Sequence, residues 1–326
     1  MIAVTAEARG RPNCSPPGAF VELQIRSMGS GLLFSTALNP RLGQSAHRYA
    51  VATMSTYLSE IVAWHRQVAE GDRRDLDQLV DQAGSAPEPT PFAAALEQAA
   101  SDHGVAVIAE VKRRSPSKGD LAPDLDPAEV AIDYARGGAA CLSVLTDERF
   151  FGGSPTDLGA ARAASGLPAL RKDFTVSLAD VCDARLMGAD AVLLIVAALS
   201  DDELVSFSTL ARALSLDVVV EVHDEPELDR ALAADARVVG VNQRDLATFE
   251  VDTHRAERMA AAIPSGVLAV AESGITGPKD AARLAAAGYQ ALLVGETLVR
   301  SGDRAQAVAS LRGHPIGRRS EVLGRS

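Results

Sequence analysis

From residue 105 onward, short apolar runs alternate with amphipathic stretches eight times. The runs cover 105–111, 140–145, 168–170, 190–197, 217–222, 237–241, 267–271 and 290–294. They are continuous rather than alternating, which is the pattern of strands buried on both faces of a parallel sheet. The stretches between them carry helix start signals. Asp126-Pro127-Ala128-Glu129 places an N-cap before a proline at the first helical position. Ser200-Asp201-Asp202-Glu203 reads as a capping box. The joints Gly137-Gly138-Ala139-Ala140, Gly188-Ala189-Asp190-Ala191 and Gly288-Tyr289-Gln290-Ala291 resemble one another. In each, glycine stops a helix and a small residue opens the next strand.

Eight such units within residues 105–315 match a (β/α)8 barrel in number and size. A doubly wound sheet is the competing arrangement. It would carry a glycine-rich dinucleotide turn, and no G-x-G-x-x-G follows the first run. The expected fold is therefore α/β, a (β/α)8 TIM barrel with an N-terminal helical extension. Upstream, Leu58, Ile61, Val62, His65 and Val68 recur at three- and four-residue steps and predict a helix over 55–70. A charged stretch and a turn marked by Pro87, Pro89 and Pro91 precede a second short helix at about 91–101. The expected divisions are 1–53, 54–104, 105–315 and 316–326: an extension or mis-assigned start, a helical segment covering the barrel, the barrel, and a tail. Residues 1–53 hold five arginines, two glutamates and no persistent periodicity. An Arg-rich, acid-poor composition is also that of a targeting segment.

Charge narrows the partners. With 32 basic and 43 acidic residues the chain carries a net −11, which argues against nucleic acid. No apolar run approaches the roughly 20 residues of a membrane helix, and no secretory signal pattern opens the chain. A cytoplasmic protein is expected, a monomer or weak homodimer. Cys14, Cys141 and Cys182 lack C-x-x-C spacing, and no His/Cys/carboxylate grouping has metal-ligand spacing. No metal and no cofactor are expected. Of the 32 basic residues only four are lysines, Lys112, Lys118, Lys172 and Lys279. Two of these, Lys112 and Lys172, directly follow strand-like runs. A lysine pKa moves on burial and arginine's does not, so a lysine in an arginine-biased chain points to proton transfer or Schiff-base chemistry.

In a barrel, chemistry sits at the carboxyl ends of the strands. Those ends read Glu110-Val111-Lys112, Thr146-Asp147, Arg171-Lys172-Asp173, Glu221-Val222-His223, Asn242-Gln243-Arg244, Glu272-Ser273-Gly274 and Gly295-Glu296. The fourth stays apolar through Leu193, Leu194 and Ile195. Alternation turns Glu110 and Lys112 to one face. Strand ends meet water in any barrel, but solvation alone does not select three glutamates and two lysines inside apolar runs. Ser273-Gly274 and Gly295, after the seventh and eighth strands, suit the phosphate cradle of such barrels. There Glu296 contributes its N–H or points away. His223 reads as a residue behind the site or at a helix start, Arg113 and Arg114 as rim charges, and Lys279 as solvated.

The segment Ala109-Glu110-Val111-Lys112-Arg113-Arg114-Ser115-Pro116-Ser117-Lys118-Gly119 resembles the first-strand signature of the indole-3-glycerol phosphate synthase family. Leu142–Asp147, Leu170–Phe174, Val220–His223, Asn242–Leu246 and Ala271–Ile275 resemble its later strands. The likeness covers about 55–315. It implies ring closure, decarboxylation and dehydration of 1-(2-carboxyphenylamino)-1-deoxyribulose 5-phosphate in tryptophan biosynthesis. It also implies roles. Lys172 is the proton donor, Lys112 lies near the substrate carboxylate, and Glu221 is the base with Glu110 beside the lysines. Asn242, Glu272 and Ser273 support them, and Arg244 neutralises the carboxylate. Ser115, Gly274 and Gly295 hold phosphate, while Phe151, Phe174 and Leu194 wall the ring. A Schiff-base aldolase using Lys172 and a barrel that only binds a sugar phosphate or a partner are the competing readings.

Overall fold

The computed structural model describes residues 57–116, 118–246 and 248–319, and the backbone of an antiparallel pair, Leu23–Ser27 with Leu32–Thr36. The rest of the 1–53 extension and residues 320–326 of the tail lie outside the described residues. Eight strands form the centre: β1 (Ala106–Val111), β2 (Cys141–Leu145), β3 (Ala169–Lys172), β4 (Ala191–Ile195), β5 (Asp217–Val222), β6 (Val238–Asn242), β7 (Leu268–Glu272) and β8 (Ala291–Val294). Every neighbouring pair is parallel and the sheet closes on itself through β8 and β1. The expected (β/α)8 barrel is the observed fold.

Strand ends differ from the expectation where polar residues join the ladder. β3 runs on through Lys172, which pairs with Leu145, and β6 and β7 reach Asn242 and Glu272, which pair with each other. β4 stops earlier than expected, at Ile195, because Val196–Ala198 turns into a 3-10 helix. Side chains divide by alternation into two cores. Ile108, Leu193, Val270 and Leu293 fill the barrel interior. Val107, Val192, Leu194 and Val241 point outward against the helices.

Among the described residues three helices precede the barrel: α1 (Tyr57–Gly71), α2 (Leu76–Gly84) and α3 (Phe92–His103). α2 is absent from the sequence expectation, because charge masks its pattern. Asp75 caps it by accepting from the Gln78 N–H, and Leu79, Val80 and Ala83 form its buried face. α3 closes the amino-terminal end of the barrel with Phe92 and Leu96, both fully buried. α1 covers the opposite end, where Tyr57, Leu58 and Ile61 line a cavity.

The chain is pinned beneath the barrel by one carboxylate. Asp190, buried just before β4, accepts from the backbone N–H groups of Thr90 (2.7 Å) and Ala169 (2.8 Å). Arg162 donates to both its oxygens, at 2.7 and 2.8 Å. Asp190→Ala strands all four donors. It is expected to cost about 3 kcal/mol, read as a lower urea midpoint. An unchanged midpoint would assign the pinning elsewhere.

Candidate active site

Inward-pointing residues at the carboxyl ends of the strands meet in a cavity of about 500 Å³. From β1, Glu110 and Lys112 share one face, two residues apart, and pair at 2.5 Å. Lys172, at the end of β3, donates to Glu221 of β5 at 2.8 Å and lies 3.6 Å from Glu272 of β7. Asn242 of β6 donates its amide to the other Glu221 oxygen at 3.0 Å, and its own oxygen accepts from the Arg244 N–H. The three glutamates are nearly inaccessible, at 4 % for Glu110, 1 % for Glu221 and 2 % for Glu272.

Two ammonium groups thus face three buried carboxylates, and burial makes an unbalanced charge costly. The groups respond unequally. Burial alone would raise Glu221, but the Lys172 and His223 charges and the Asn242 bond pull it down to about 2. Glu272 is pushed up to about 8, by burial first and then by the neighbouring carboxylates, against the pull of Lys172. Lys172 itself is raised above the ordinary lysine value: burial opposes its charge, and Glu221, Glu272 and Glu110 outweigh that. At neutral pH the cluster therefore holds an ionised Lys172–Glu221 pair and a protonated Glu272.

Space for these carboxylates comes from missing side chains. A Cβ on Gly240 would overlap the Glu272 carboxylate, and one on Gly295 would overlap that of Glu110 and crowd Lys112. Gly295 thus makes room for the β1 pair, beyond the cradle role read from the sequence. Ser273 and Gly274 both adopt left-handed backbone, φ +66° and +67°, which is strained for serine. The Gln243 amide holds this turn by donating to the Ser273 carbonyl at 2.8 Å.

Thirteen of the fourteen sequence-predicted site residues line the cavity: Glu110, Lys112, Ser115, Phe151, Lys172, Phe174, Glu221, Asn242, Arg244, Glu272, Ser273, Gly274 and Gly295. Leu194 does not. The pleat of β4 turns it outward into the helix layer, and Leu193 and Ile195 form the wall instead. Period-two alternation puts Leu194 opposite Leu193 and Ile195, but which of them faces inward depends on where the β4 pleat begins. Tyr57 and Phe249 complete the apolar wall with ring centroids 5.1 Å apart, and no local sequence pattern joins residues so distant in the chain. Arg113 pairs with Asp157, and Arg114 donates to the Glu148 and Arg149 carbonyls, so both tie loops together at the rim. His223 stands behind the cavity. Its Nδ1 bonds Glu227 at 3.0 Å and its Nε2 lies 3.7 Å from Glu221.

A second cluster fastens α1. His65 bonds Asp147 at 3.0 Å and lies 3.8 Å from Asp173. The three have metal-ligand types at close range, but the carboxylates already serve protein donors. Asp147 accepts from the Phe150 and Phe151 N–H groups, and Asp173 from Thr146, Arg171 and the Phe174 N–H. The trio acts as a clamp between α1 and the ends of β2 and β3.

A (β/α)8 barrel with a buried lysine–carboxylate cluster in a cavity at its carboxyl-terminal face is the architecture of a barrel enzyme working by proton transfer. Residues 58–311 match the family model described as Indole-3-glycerol phosphate synthase. Curated relatives bear the same name. One from a Nocardioides species is 56 % identical over 210 residues, covering 64 % of this chain and 81 % of its own. Another from Paenarthrobacter aurescens is 45 % identical over 261 residues, covering 79 % and 96 %. A third from Mycobacterium ulcerans is 52 % identical over 236 residues, covering 72 % and 85 %. The chain belongs to the indole-3-glycerol phosphate synthase family.

The raised Glu272 carboxyl has a consequence for stability. Between its ordinary value of 4.5 and about 8, the folded chain keeps a proton that the unfolded chain has released. Its stabilising contribution is thus complete below the ordinary value and falls as pH rises through the folded one. Glu272→Gln removes this dependence. The variant's unfolding temperature should gain on that of the unaltered protein between about pH 5 and pH 8; a constant or shrinking difference would contradict the assignment.

Proposed function

We propose that this chain converts 1-(2-carboxyphenylamino)-1-deoxyribulose 5-phosphate to indole-3-glycerol phosphate, CO2 and water, within tryptophan biosynthesis. The observation that carries the reading is the pairing of Lys172 with Glu221 beneath an apolar wall, inside a chain of this family. The substrate's carboxylated ring would lie against Phe151, Phe174, Leu193 and Ile195. Its phosphate would lie toward Ser115, Gly274 and Gly295, with its carboxylate near Lys112 and Arg244.

The ring carbon bearing the carboxylate attacks the sugar carbonyl carbon, and the carbonyl oxygen takes a proton from Lys172. The developing alkoxide is a far stronger base than the Glu221 carboxylate, so a lysine held charged by its neighbours is still a competent acid toward it. CO2 then leaves the same ring carbon, and the electrons of the broken bond restore the aromatic ring. In the last step Glu221 takes a proton from the sugar-derived carbon next to the nitrogen. The hydroxyl departs as water with a proton from a lysine. Glu110 holds Lys112, and Asn242 and Glu272 hold Glu221 and Lys172. Among the described residues no helix is long and apolar enough to cross a membrane. With the net charge, this supports a cytoplasmic enzyme that binds neither membrane nor nucleic acid.

A Schiff base at Lys172 requires the neutral amine, and its carboxylate neighbours favour the ammonium. Substrate turnover followed by indole fluorescence tests the proposal. Lys172→Ala is expected to lose about a thousandfold in kcat while still unfolding in one cooperative transition, at a lower midpoint because Glu221 loses its partner. Near-normal turnover by that variant, or none by the unaltered chain, would sink the proposal.

A further inference from the structure

The cavity end walled by Ser115, Gly274 and Gly295 carries three charged side chains to which the reaction gives no part. Lys118, Glu296 and Arg300 all line it. Glu296 follows Gly295 directly and opens the short helix Glu296–Val299. Lys118 comes from the facing wall, beside the hairpin in which Arg114–Ser115 pairs with Gly119–Asp120 after β1. Its ammonium donates to Glu296 Oε1 at 2.7 Å, and Arg300 Nη1 lies 3.7 Å from the same oxygen.

A carboxylate at this place opposes a bound phosphate twice. It repels the anion, and it occupies the lysine that the anion would attract. The pair is only part-buried, with 49 % of the Lys118 side chain and 29 % of that of Glu296 exposed. An ion pair this open is weak and easily exchanged. A phosphate monoester carries about −1.5 to −2 charges and three acceptor oxygens, and so outcompetes a single carboxylate for an ammonium.

We infer that Lys118 is a phosphate-binding residue of this cavity and that Glu296 is its built-in competitor, from which the lysine swings when phosphate enters. The inference rests on the proposed phosphorylated substrate. Glu296 has the charge the role requires. Burial works against ionisation, but the Lys118 bond and the Lys118, Arg300 and Lys112 charges hold its carboxyl below the ordinary value. The exchange moves one flexible side chain on a loop, with the barrel strands left in place. The same pair ties the loop after β1 to the loop after β8. With ligand bound, Glu296 keeps phosphate affinity below its ceiling and so favours release of a phosphorylated product.

The test is titration of the full chain with inorganic phosphate by calorimetry, beside KM for the substrate, for Lys118→Met, Glu296→Gln and the double variant. Lys118→Met should weaken phosphate binding about tenfold, with the larger part of its kinetic effect in KM rather than kcat. Glu296→Gln should have the opposite sign, tightening phosphate about three- to fivefold and lowering KM. In the double variant the gain from Glu296→Gln should shrink, since no lysine remains to be released. If Glu296→Gln weakens phosphate binding, Glu296 holds Lys118 in place for the ligand and the competitor role is overturned. If Lys118→Met changes neither phosphate affinity nor KM, the lysine's role is overturned. Absence of turnover by the unaltered chain, with phosphate affinities that respond as described, would discard the proposed reaction and leave this inference standing.

Discussion

The ammonium of Lys172, pressed between Glu221 at 2.8 Å and Glu272 at 3.6 Å, is the contact on which the rest of the site depends. None of these groups could be buried as an ion alone, because desolvation would cost several kcal/mol for each. Together they are tolerable only near electrical balance. Glu110, Glu221 and Glu272 bring three negative charges toward the two positive charges of Lys112 and Lys172. One retained proton removes the excess, and Glu272 is the group whose carboxyl rises to keep it. The cluster is thus set with a proton-bearing lysine and an ionised carboxylate side by side, a donor and an acceptor poised for two different steps.

The barrel supplies this arrangement through register and through absent atoms. Parallel pairing puts Glu221 level with Gly240, and Asn242 level with Glu272. Glu221 therefore sits one inward-facing layer below Asn242 and Glu272, and strands rather than loops carry all three. Gly240 and Gly295 leave the volume that the carboxylates fill. Rigid strands hold such groups more closely than loops do, which suits a centre where small displacements unbalance charge. The rest of the lining comes from the rim, where α1, the loop after β1 and the loop after β6 contribute Tyr57, Lys118 and Phe249.

Much of this was legible in the chain. Eight buried apolar runs with glycine-stopped helices between them specify a parallel barrel, and the polar residues that end those runs specify its working face. Lys112 and Lys172 stood out because arginine fills nearly every other basic position. What sequence left hidden has physical reasons. The direction of Leu194 depends on where the β4 pleat begins, and a uniformly apolar run does not show it. α2 escaped notice because its buried face is only three residues, Leu79, Val80 and Ala83, among charges. The Tyr57–Phe249 and Lys118–Glu296 contacts join segments far apart in the chain, so they exist only once the barrel has closed.

The scarcity of lysine that first drew attention to Lys172 also makes its charge directly measurable. With four lysines in the chain, selective 15N labelling of lysine leaves four side-chain nitrogen signals to follow by NMR. The Lys172 signal should keep its ammonium shift as pH rises past the ordinary lysine range. Glu221→Gln should then return its titration toward that range. A Lys172 nitrogen that loses its proton below the ordinary lysine value in the unaltered protein would contradict the charge pairing at the centre of the site.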